Sequence, residues 1–366
     1  MRPGYATNEQ ITRSLEVAQA TYSKHLIAAK IASASDSIDG FLHRRFYPEQ
    51  RTILRDWPNH SYSPTWEINL GDNELISLTQ VLSGGTDITA DVLLRRGDDK
   101  QEPPYSAIQV DLSSASAFTG GTTFQQAITI SGLFSGDKDT SQVLSGGVLS
   151  GAINSSVTTC VINPVSGYYT VGTGSLLLIG TERLLTTDRR MSAVSGQTIT
   201  GNVTAEQSSK LIGVTSGAAF AADEIILINA ERMRIDDIAG NNLIVSRAWD
   251  GTALAAHTSG DAVYAMRTFT VTRGALGSTA ASHSDAVSVY VHDYPPLVNE
   301  LCVAETVVLL QQNAGGYTQA ISAVAPSFSG FRANRPAQKE VIGQGLEDIR
   351  YRCWRAHGRK GRLAAI

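Results

Sequence analysis

The sequence predicts an α+β fold, with helices at both ends of the chain and short β-strands between them. Apolar residues recur at helical spacing before residue 48 and again after Pro295. Between these segments the apolar pattern alternates, and one stretch contains two copies of the same motif. With 366 residues, of which 42% are apolar and 17% charged, the chain is long enough for two or three domains with their own cores.

Two helices are predicted at the N-terminus. Asn8 is expected to cap the first, which runs through Ala20. The second begins near Ser23 and ends before Pro48, where the proline cannot continue a helix. Its apolar residues step by four, three, four and three, which places one stripe in the core: Ile27, Ile31, Ala34, Ile38 and Phe41.

Residues 52–136 have the pattern of short strands separated by turns. Runs at 66–70, 78–82, 92–94, 107–112 and 127–131 carry the apolar residues, and Gly or Pro pairs lie between them. These runs predict a small antiparallel sheet.

Residues 137–291 contain the repeated motif. Arg247 precedes His257 by ten residues, and Arg273 precedes His283 by the same ten, at an offset of 26. An apolar run ending in Glu recurs at 176–182 and 225–231, at an offset of 49. One copy, about 209–264, is complete, whereas the flanking half-copies each lack what the other contains. A module inserted into a loop of its twin (about 205–266) explains this better than decayed tandem repeats do.

The glutamates of these runs, Glu182 and Glu231, lie in strongly apolar strands. A buried carboxylate needs a partner, because burial of an isolated charge is costly. We expect Glu231 to pair with Arg247, and Glu182 with Arg273 if the modules are nested. The alternative is that both glutamates face solvent.

His257 and His283 are the candidates for chemistry. Their matched positions could supply a metal pair, but neither has a Cys or second His at ligand spacing. A structural role, with the imidazole bonded to a turn or packed on it, is the better interpretation.

After Pro295, a helix is predicted from Leu297, Leu301, Ala304 and Val308. A last helix from about Gln338 carries Ile342, Leu346, Ile349 and Cys353, and Gly343 and Gly345 weaken it, so it is expected to order only against a partner. Residues 331–366 contain nine Lys or Arg against three acidic residues, although the whole chain has a net charge of −4. Such a tail docks on nucleic-acid phosphates or an acidic protein groove, or is a plain solvated helix.

Other motifs of catalysis or cofactor binding are missing from the sequence. It has no Walker loop, GxSxG, HExxH, EF-hand or GxGxxG pattern, so we expect no cofactor, no metal and no enzymatic activity. Three scattered cysteines, Cys160, Cys302 and Cys353, and the lack of a signal core or membrane span predict synthesis in a reducing cytoplasm.

The order of elements resembles the head-to-tail adaptor (connector) proteins of long-tailed bacteriophages. The resemblance lies in residues 38–48, which contain the family's RxF element; 127–136, similar to its V-x-V-x-G-x-aromatic-G strand; and 294–310, its Ala-rich helix. Leu133-Phe134 stands where the family usually has Trp. Residues 225–264 resemble a β-unit of phage structural proteins, I-L-I-x-x-E-x-M…L-x-V-x-R-G-x-x-G-T-x-A-x-x-H-x-x-G-x-x-V-Y.

The resemblance implies a domain plan. A helical adaptor core, with a small antiparallel sheet, would comprise residues 1–136 and 292–337. An inserted all-β domain of two similar modules would comprise 137–291. A basic docking segment would comprise 338–366.

The resemblance also implies a role in the virion neck. The chain would form a ring, usually of twelve copies, between the portal protein and a tail-side stopper or terminator. Genome DNA would pass through without sequence-specific binding, and no membrane would take part. Portal docking is assigned to Arg350, Tyr351, Arg352, Trp354, Arg355, Arg359, Lys360 and Arg362. The alternative is a capsid decoration or baseplate protein whose β-modules bind capsid or carbohydrate; a glycan hydrolase is disfavoured because no carboxylate pair is nominated.

Overall fold

The computed structural model describes residues 2–15, 22–58, 64–96, 102–141, 143–165, 170–314 and 338–359. The protein is mostly β, with 37% strand against 23% helix, and it contains a closed six-stranded barrel. The predicted α+β fold around a helical core is therefore wrong. Helical spacing in the terminal segments identified real helices, but the repeats and sheets between them make up most of the architecture.

Four α-helices occur in the described ranges: α1 (Asn8–Ser14), α2 (Lys24–Leu42), α3 (Pro296–Ala314) and α4 (Gln338–His357). The strands are β1 (Glu49–Arg55), β2 (Glu67–Asn69), β3 (Leu75–Ser83), β4 (Thr86–Asp87), β5 (Val92–Arg95), β6 (Ala107–Val110), β7 (Ile128–Phe134), β8 (Leu144–Ser150), β9 (Thr159–Asn163), β10 (Leu176–Ile179), β11 (Glu182–Thr198), β12 (Leu211–Gly213), β13 (Ile225–Ile228), β14 (Glu231–Ala239), β15 (Asn242–Ser246), β16 (Ala262–Thr272) and β17 (Ser288–Val291).

The helices share one apolar cluster at one side of the molecule. Helix α2 buries Leu42 in place of the predicted Phe41, which is 41% exposed. With 3.6 residues per turn, the residue four positions after Ile38 lies closer to the line of the buried face than the residue three positions after it. Thr7, not Asn8, caps α1 through a capping box with Gln10.

Helix α3 buries two neighbouring faces because α1, α2 and α4 all contact it. Leu301 is buried as predicted. Leu297 and Val308 are only partly buried, and Val298 and Cys302 are fully buried. Helix α4 begins at the predicted residue and packs on α3 through the buried Cys353. The expectation that α4 orders only against a partner is therefore wrong for the described part of this helix.

Two small antiparallel sheets follow the first helices. One has the order β1–β7–β3–β4 and the other β2–β6–β5. They share a core that includes Ile68, Leu75, Ile108 and Ile130. The predicted strand runs all fall in these sheets, with ends shifted by at most three residues.

The outer module is a closed barrel of six strands in the order β11–β10–β17–β8–β9–β16, with β16 pairing back to β11. Only the first part of β11 and the last part of β16 belong to it. Side chains fill its interior, as expected for a barrel of this size. Its core includes Leu149, Ile162, Leu177, Ile179, Leu184 and Phe269.

The inner module repeats this strand arrangement, and it shares the long strands β11 and β16 with the outer module. The second part of β11 pairs with the first part of β16, then β13, β14, β15 and β12 follow. A bridge between Ile199 and Val214 joins the two ends. The inner module has a separate core that includes Ile212, Ile226, Met233 and Val245. In the inner module, Ala239 and Asn242 form the last pair before the hairpin turn between β14 and β15. Arg190 and Thr268 form the equivalent pair in the outer module. The inner module therefore stands where the outer module would otherwise have a hairpin turn.

Ion pairs hold the modules against the helices. Glu9 on α1 contacts the guanidinium of Arg189 at 2.8 Å and accepts from the amide of Thr173 at 2.7 Å. Arg13 reaches Asp223 of the inner module at 2.8 Å. Both modules are therefore tied to the same short helix.

Candidate functional site: the buried carboxylate clusters and the C-terminal helix

Glu231 is the centre of a buried cluster in the inner module. Its carboxylate accepts two hydrogen bonds from Arg247, from Nε and Nη2, each at 2.8 Å. The amides of Ala248 and Ala255 donate at 2.8 and 3.0 Å, and Nε2–H of His257 donates at 2.9 Å. The side chains of Glu231, Arg247 and His257 are fully buried. The solvent-facing alternative for Glu231 is therefore wrong.

Glu182 has the same five partners in the outer module. Arg273 donates from Nε and Nη2 at 2.7 and 2.8 Å, and the amides of Gly274 and Ala281 donate at 2.9 and 3.0 Å. Nε2–H of His283 donates at 2.8 Å. Glu182 and Arg273 are 91 residues apart, and their pairing was predicted only for nested modules. The observed pair therefore supports nesting over tandem repeats.

The turn after each arginine wraps around the carboxylate. Ala248 and Gly274 have φ of 50° and 58°, and Asp250 and Leu276 have φ of 63° and 53°, so the two turns share one left-handed conformation. In this conformation the amide of the residue after each arginine, Ala248 or Gly274, donates to the glutamate. The histidines contact the carboxylate itself, and not the turn or its surface as predicted.

Electrostatics keeps both glutamates ionised. Burial by itself raises the pKa of Glu231, but the bonds from Arg247, the two amides and His257 outweigh it and hold the pKa at about 2. The same balance holds the pKa of Glu182 at about 2. Each arginine also donates to three backbone carbonyl groups, those of Thr204, Ser209 and Ala255 in the inner module. Because the carboxylate and guanidinium groups already hold so many hydrogen bonds, they are suited to stabilising loops and not to transferring protons.

A further buried pair was not predicted. Arg267 on β16 contacts Glu224 through two bonds of 2.7 Å, and its guanidinium also lies 5.7 Å from the ring centre of Phe220. Its Nη1 reaches Asn163 of the outer module at 3.4 Å. The pair therefore spans the junction of the modules. A charged residue directly before the apolar run at 225–228 was the available signal.

Most of the arginines assigned to portal docking form ion pairs or hydrogen bonds with other residues of the chain. Arg350 contacts Glu305 at 2.8 Å, and Arg352 contacts Asp348 at 3.0 Å. Arg359 donates to the carbonyl of Gly71 at 2.5 Å. Lys360 and Arg362 lie outside the described residues.

The aromatic residues of α4 form an exposed surface with α2. We call this the aromatic patch: Phe41, Tyr351 and Trp354, which with Glu347 and Arg350 line a shallow, almost wholly apolar depression. Phe41, Tyr351 and Trp354 are 41%, 57% and 39% exposed. The exposed Arg355 lies 5.8 Å above the ring centre of Tyr351. The structure thus places two of the predicted docking residues, Tyr351 and Trp354, beside a third aromatic from another helix.

Neither a metal-binding cluster nor a membrane-spanning helix is found in the described ranges. There, no group of three or more His, Cys, Asp or Glu side chains is placed to hold a metal ion. No helix in these ranges is long and apolar enough to cross a membrane. Comparison with protein-family models, with curated proteins and with solved structures found no match to this chain.

Proposed function

We propose that this chain is a structural, non-catalytic protein of a bacteriophage virion that joins the portal ring to the tail. Its copies form a ring around the DNA exit channel in the neck. The sequence supports this role through the phage-type β-unit of residues 225–264 and the basic segment that begins at Gln338.

The observation that carries the proposal is the aromatic patch. Three large aromatic side chains stand together on a surface where such residues are normally scattered singly. Tyr, Trp and Arg dominate the energetic centres of protein interfaces. Two of the three belong to the segment that the family resemblance assigns to the portal.

The charges around the patch define how the partner is recognised. Arg350 and Arg352 are held by acidic neighbours, so they set the shape of the surface. Arg355 is exposed beside Tyr351 and supplies positive charge at the rim. An acidic groove with an apolar floor on the portal subunit complements this arrangement.

The chemistry of the two modules supports a scaffold. Both buried carboxylates, Glu182 and Glu231, are occupied by five donors each, so these groups stabilise loops. The two modules share the strands β11 and β16 and the Arg267–Glu224 pair, and both are tied to α1. Such cross-linking suits a protein that bears mechanical load.

A second candidate is a capsid decoration or baseplate protein. The predominance of strand over helix, and the barrel architecture of the larger part of the chain, favour this candidate. It predicts binding through the modules, with no contribution from the aromatic patch.

The test is binding of the full chain to the purified portal ring, measured by biolayer interferometry. Truncation at residue 338 is unsuitable because α4 covers part of the helical core. The double variant Tyr351→Ala, Trp354→Ala is expected to weaken binding by about a thousandfold, since interface anchors contribute about 2 kcal/mol each and about 1.4 kcal/mol is tenfold in affinity. The matched control is Trp66→Ala, which removes an equally exposed Trp from another surface.

Portal binding that is unaffected by the double variant would refute the docking surface. Binding to capsid in place of portal would favour the decoration candidate. The charge variant Arg355→Glu distinguishes the contribution of the charged rim from that of the aromatic residues. It is expected to slow association while leaving the apolar contact in place.

A further inference from the structure

A polar pocket lies where four chain segments meet, and it is lined by none of the residues of the aromatic patch or of the buried carboxylate clusters. We call it the polar pocket; it is lined by the end of α2, by β1, by the loop before β3 and by the end of β7. Its volume is about 360 Å³. Pockets of roughly 300–1,000 Å³ are the size that small-molecule sites have in proteins.

Three buried polar atoms on the lining residues have no hydrogen-bond partner in the described structure. Two are donors, Nε of Arg44 and Nε of Arg51, and one is an acceptor, Oε2 of Glu74. Glu74 is only 5% exposed. Unpaired buried groups of this kind are uncommon and costly, so their concentration at one pocket indicates a ligand that completes them.

The remaining atoms of these side chains are fixed. Arg44 donates from Nη1 to the carbonyl of His357 at 3.1 Å and from Nη2 to Oε1 of Glu74 at 2.8 Å. Arg51 donates from Nη2 to Oδ1 of Asn73 at 2.5 Å and lies over the ring of Phe134. The two guanidinium groups and the carboxyl group of Glu74 are therefore held in place, as a specific binding site requires.

The charge of the pocket selects the class of ligand. Three guanidinium groups face four carboxyl groups, so neither a multiply charged anion nor a cation gains from the field: Arg44, Arg45, Arg51, Asp39, Glu49, Asp72 and Glu74. A hydroxyl group can accept from a guanidinium and donate to a carboxylate at the same time. A neutral molecule with several hydroxyl groups satisfies both the balance of charge and the mixture of unpaired donors and acceptor.

We propose that the polar pocket binds a neutral saccharide unit through Arg44, Arg51 and Glu74. A peptide fits the geometry less well. The pocket is walled by four segments, whereas an extended peptide needs an open groove to run through. The site is separate from the proposed docking on the portal and is tested independently of it.

The ionisation of the lining carboxyls agrees with a sheltered site. Burial raises the pKa of Asp39 to about 6, although Tyr5 donates a hydrogen bond to it and Arg45 lies nearby. Burial likewise raises the pKa of Glu74 above its usual range, against the opposing effect of Arg44. Carboxyls perturbed in this way cluster at binding sites.

The test is saturation-transfer NMR on the full chain with glucose, galactose and N-acetylglucosamine. Inorganic phosphate and free arginine serve as charged probes. At least one sugar is expected to bind, and Glu74→Gln and Arg51→Gln are each expected to weaken it by about tenfold, the effect of losing a hydrogen bond to a charged group. The control Glu206→Gln alters an exposed residue of the inner module and is expected to change nothing.

Thermal unfolding checks that each variant is folded. Arg45→Gln provides a second route if Glu74→Gln is unstable, because Arg45 is 42% exposed and its nearest carboxylate contact is 3.9 Å long. A few-fold loss of sugar binding is expected from it. No binding by any of the three sugars, binding unaffected by the pocket variants, or binding of phosphate or arginine alone would overturn the proposal.

Discussion

The buried carboxylate of the inner module offers the sharpest test of how this fold is held together. The perturbation is Glu231→Gln, which keeps the shape of the side chain and removes its charge. Holding the pKa at about 2, against the ordinary 4.5, stabilises the folded state by roughly 3 kcal/mol at neutral pH. Loss of one partner from a buried pair costs about 3–5 kcal/mol, because Arg247 is left buried and unpaired. We therefore expect a loss of about 3 kcal/mol.

The location of the effect can be measured along with its size. Hydrogen exchange read by mass spectrometry gives the free energy of opening separately for peptides of each module. Since the inner module has its own core, the loss is expected in peptides from 225–265, with much smaller change in β10 and β17. The control Glu206→Gln is exposed and is expected to change protection by less than about 0.5 kcal/mol.

A double variant separates charge from shape. In Glu231→Gln, Arg247→Met no buried charge remains unpaired, so part of the lost stability is expected to return. A loss in the single variant below about 1 kcal/mol, the level of an exposed ion pair, would refute the reasoning. So would an equal loss of protection in both modules.

Three more predictions concern the pH dependence of stability and the nesting of the modules. Acid should destabilise the modules between about pH 4.5 and 2, because the lowered pKa of Glu182 and Glu231 contributes stability that is lost as pH falls through this window; circular dichroism melts that stay flat would contradict it. Asp39 behaves oppositely, since its raised pKa means stability is lost as pH rises through about 6. The free energy of unfolding of Asp39→Asn should therefore exceed that of wild type by roughly 1–2 kcal/mol at pH 8, seen as a higher unfolding temperature, with little difference at pH 4. Finally, joining Arg190 to Thr268 by a Gly-Asn dipeptide, the turn of the β14–β15 hairpin, should remove the inner module and leave a folded outer barrel by NMR; a spectrum of unfolded chain would show that the outer barrel needs its insertion.

Strict spacing made the carboxylate clusters predictable from sequence. An invariant ten-residue step from Arg to His, with one Glu strand per copy, leaves few ways to pair charges within an apolar core. The pairing of Glu182 with Arg273 was predictable because the two half-copies complete each other. What the histidines contact was not predictable, since their distance from the glutamate depends on the left-handed turn.

Other features could not be inferred because they join distant segments. The polar pocket combines residues from four segments, and no local pattern links Arg51 to Glu74. The fold class failed for a related reason: helical spacing gives clear local signals, whereas barrel closure depends on pairing β11 with β16, about 80 residues apart. The exposure of Phe41 beside Trp354 likewise depends on how α4 docks.

The most direct test of the proposed role is light scattering on a sizing column, with the protein alone and then mixed with the purified portal ring that the proposal names as its partner. A ring-sized complex is expected on mixing, and the Tyr351→Ala, Trp354→Ala variant is expected not to form it. Absence of any complex at both low and moderate salt would contradict a role in joining portal to tail.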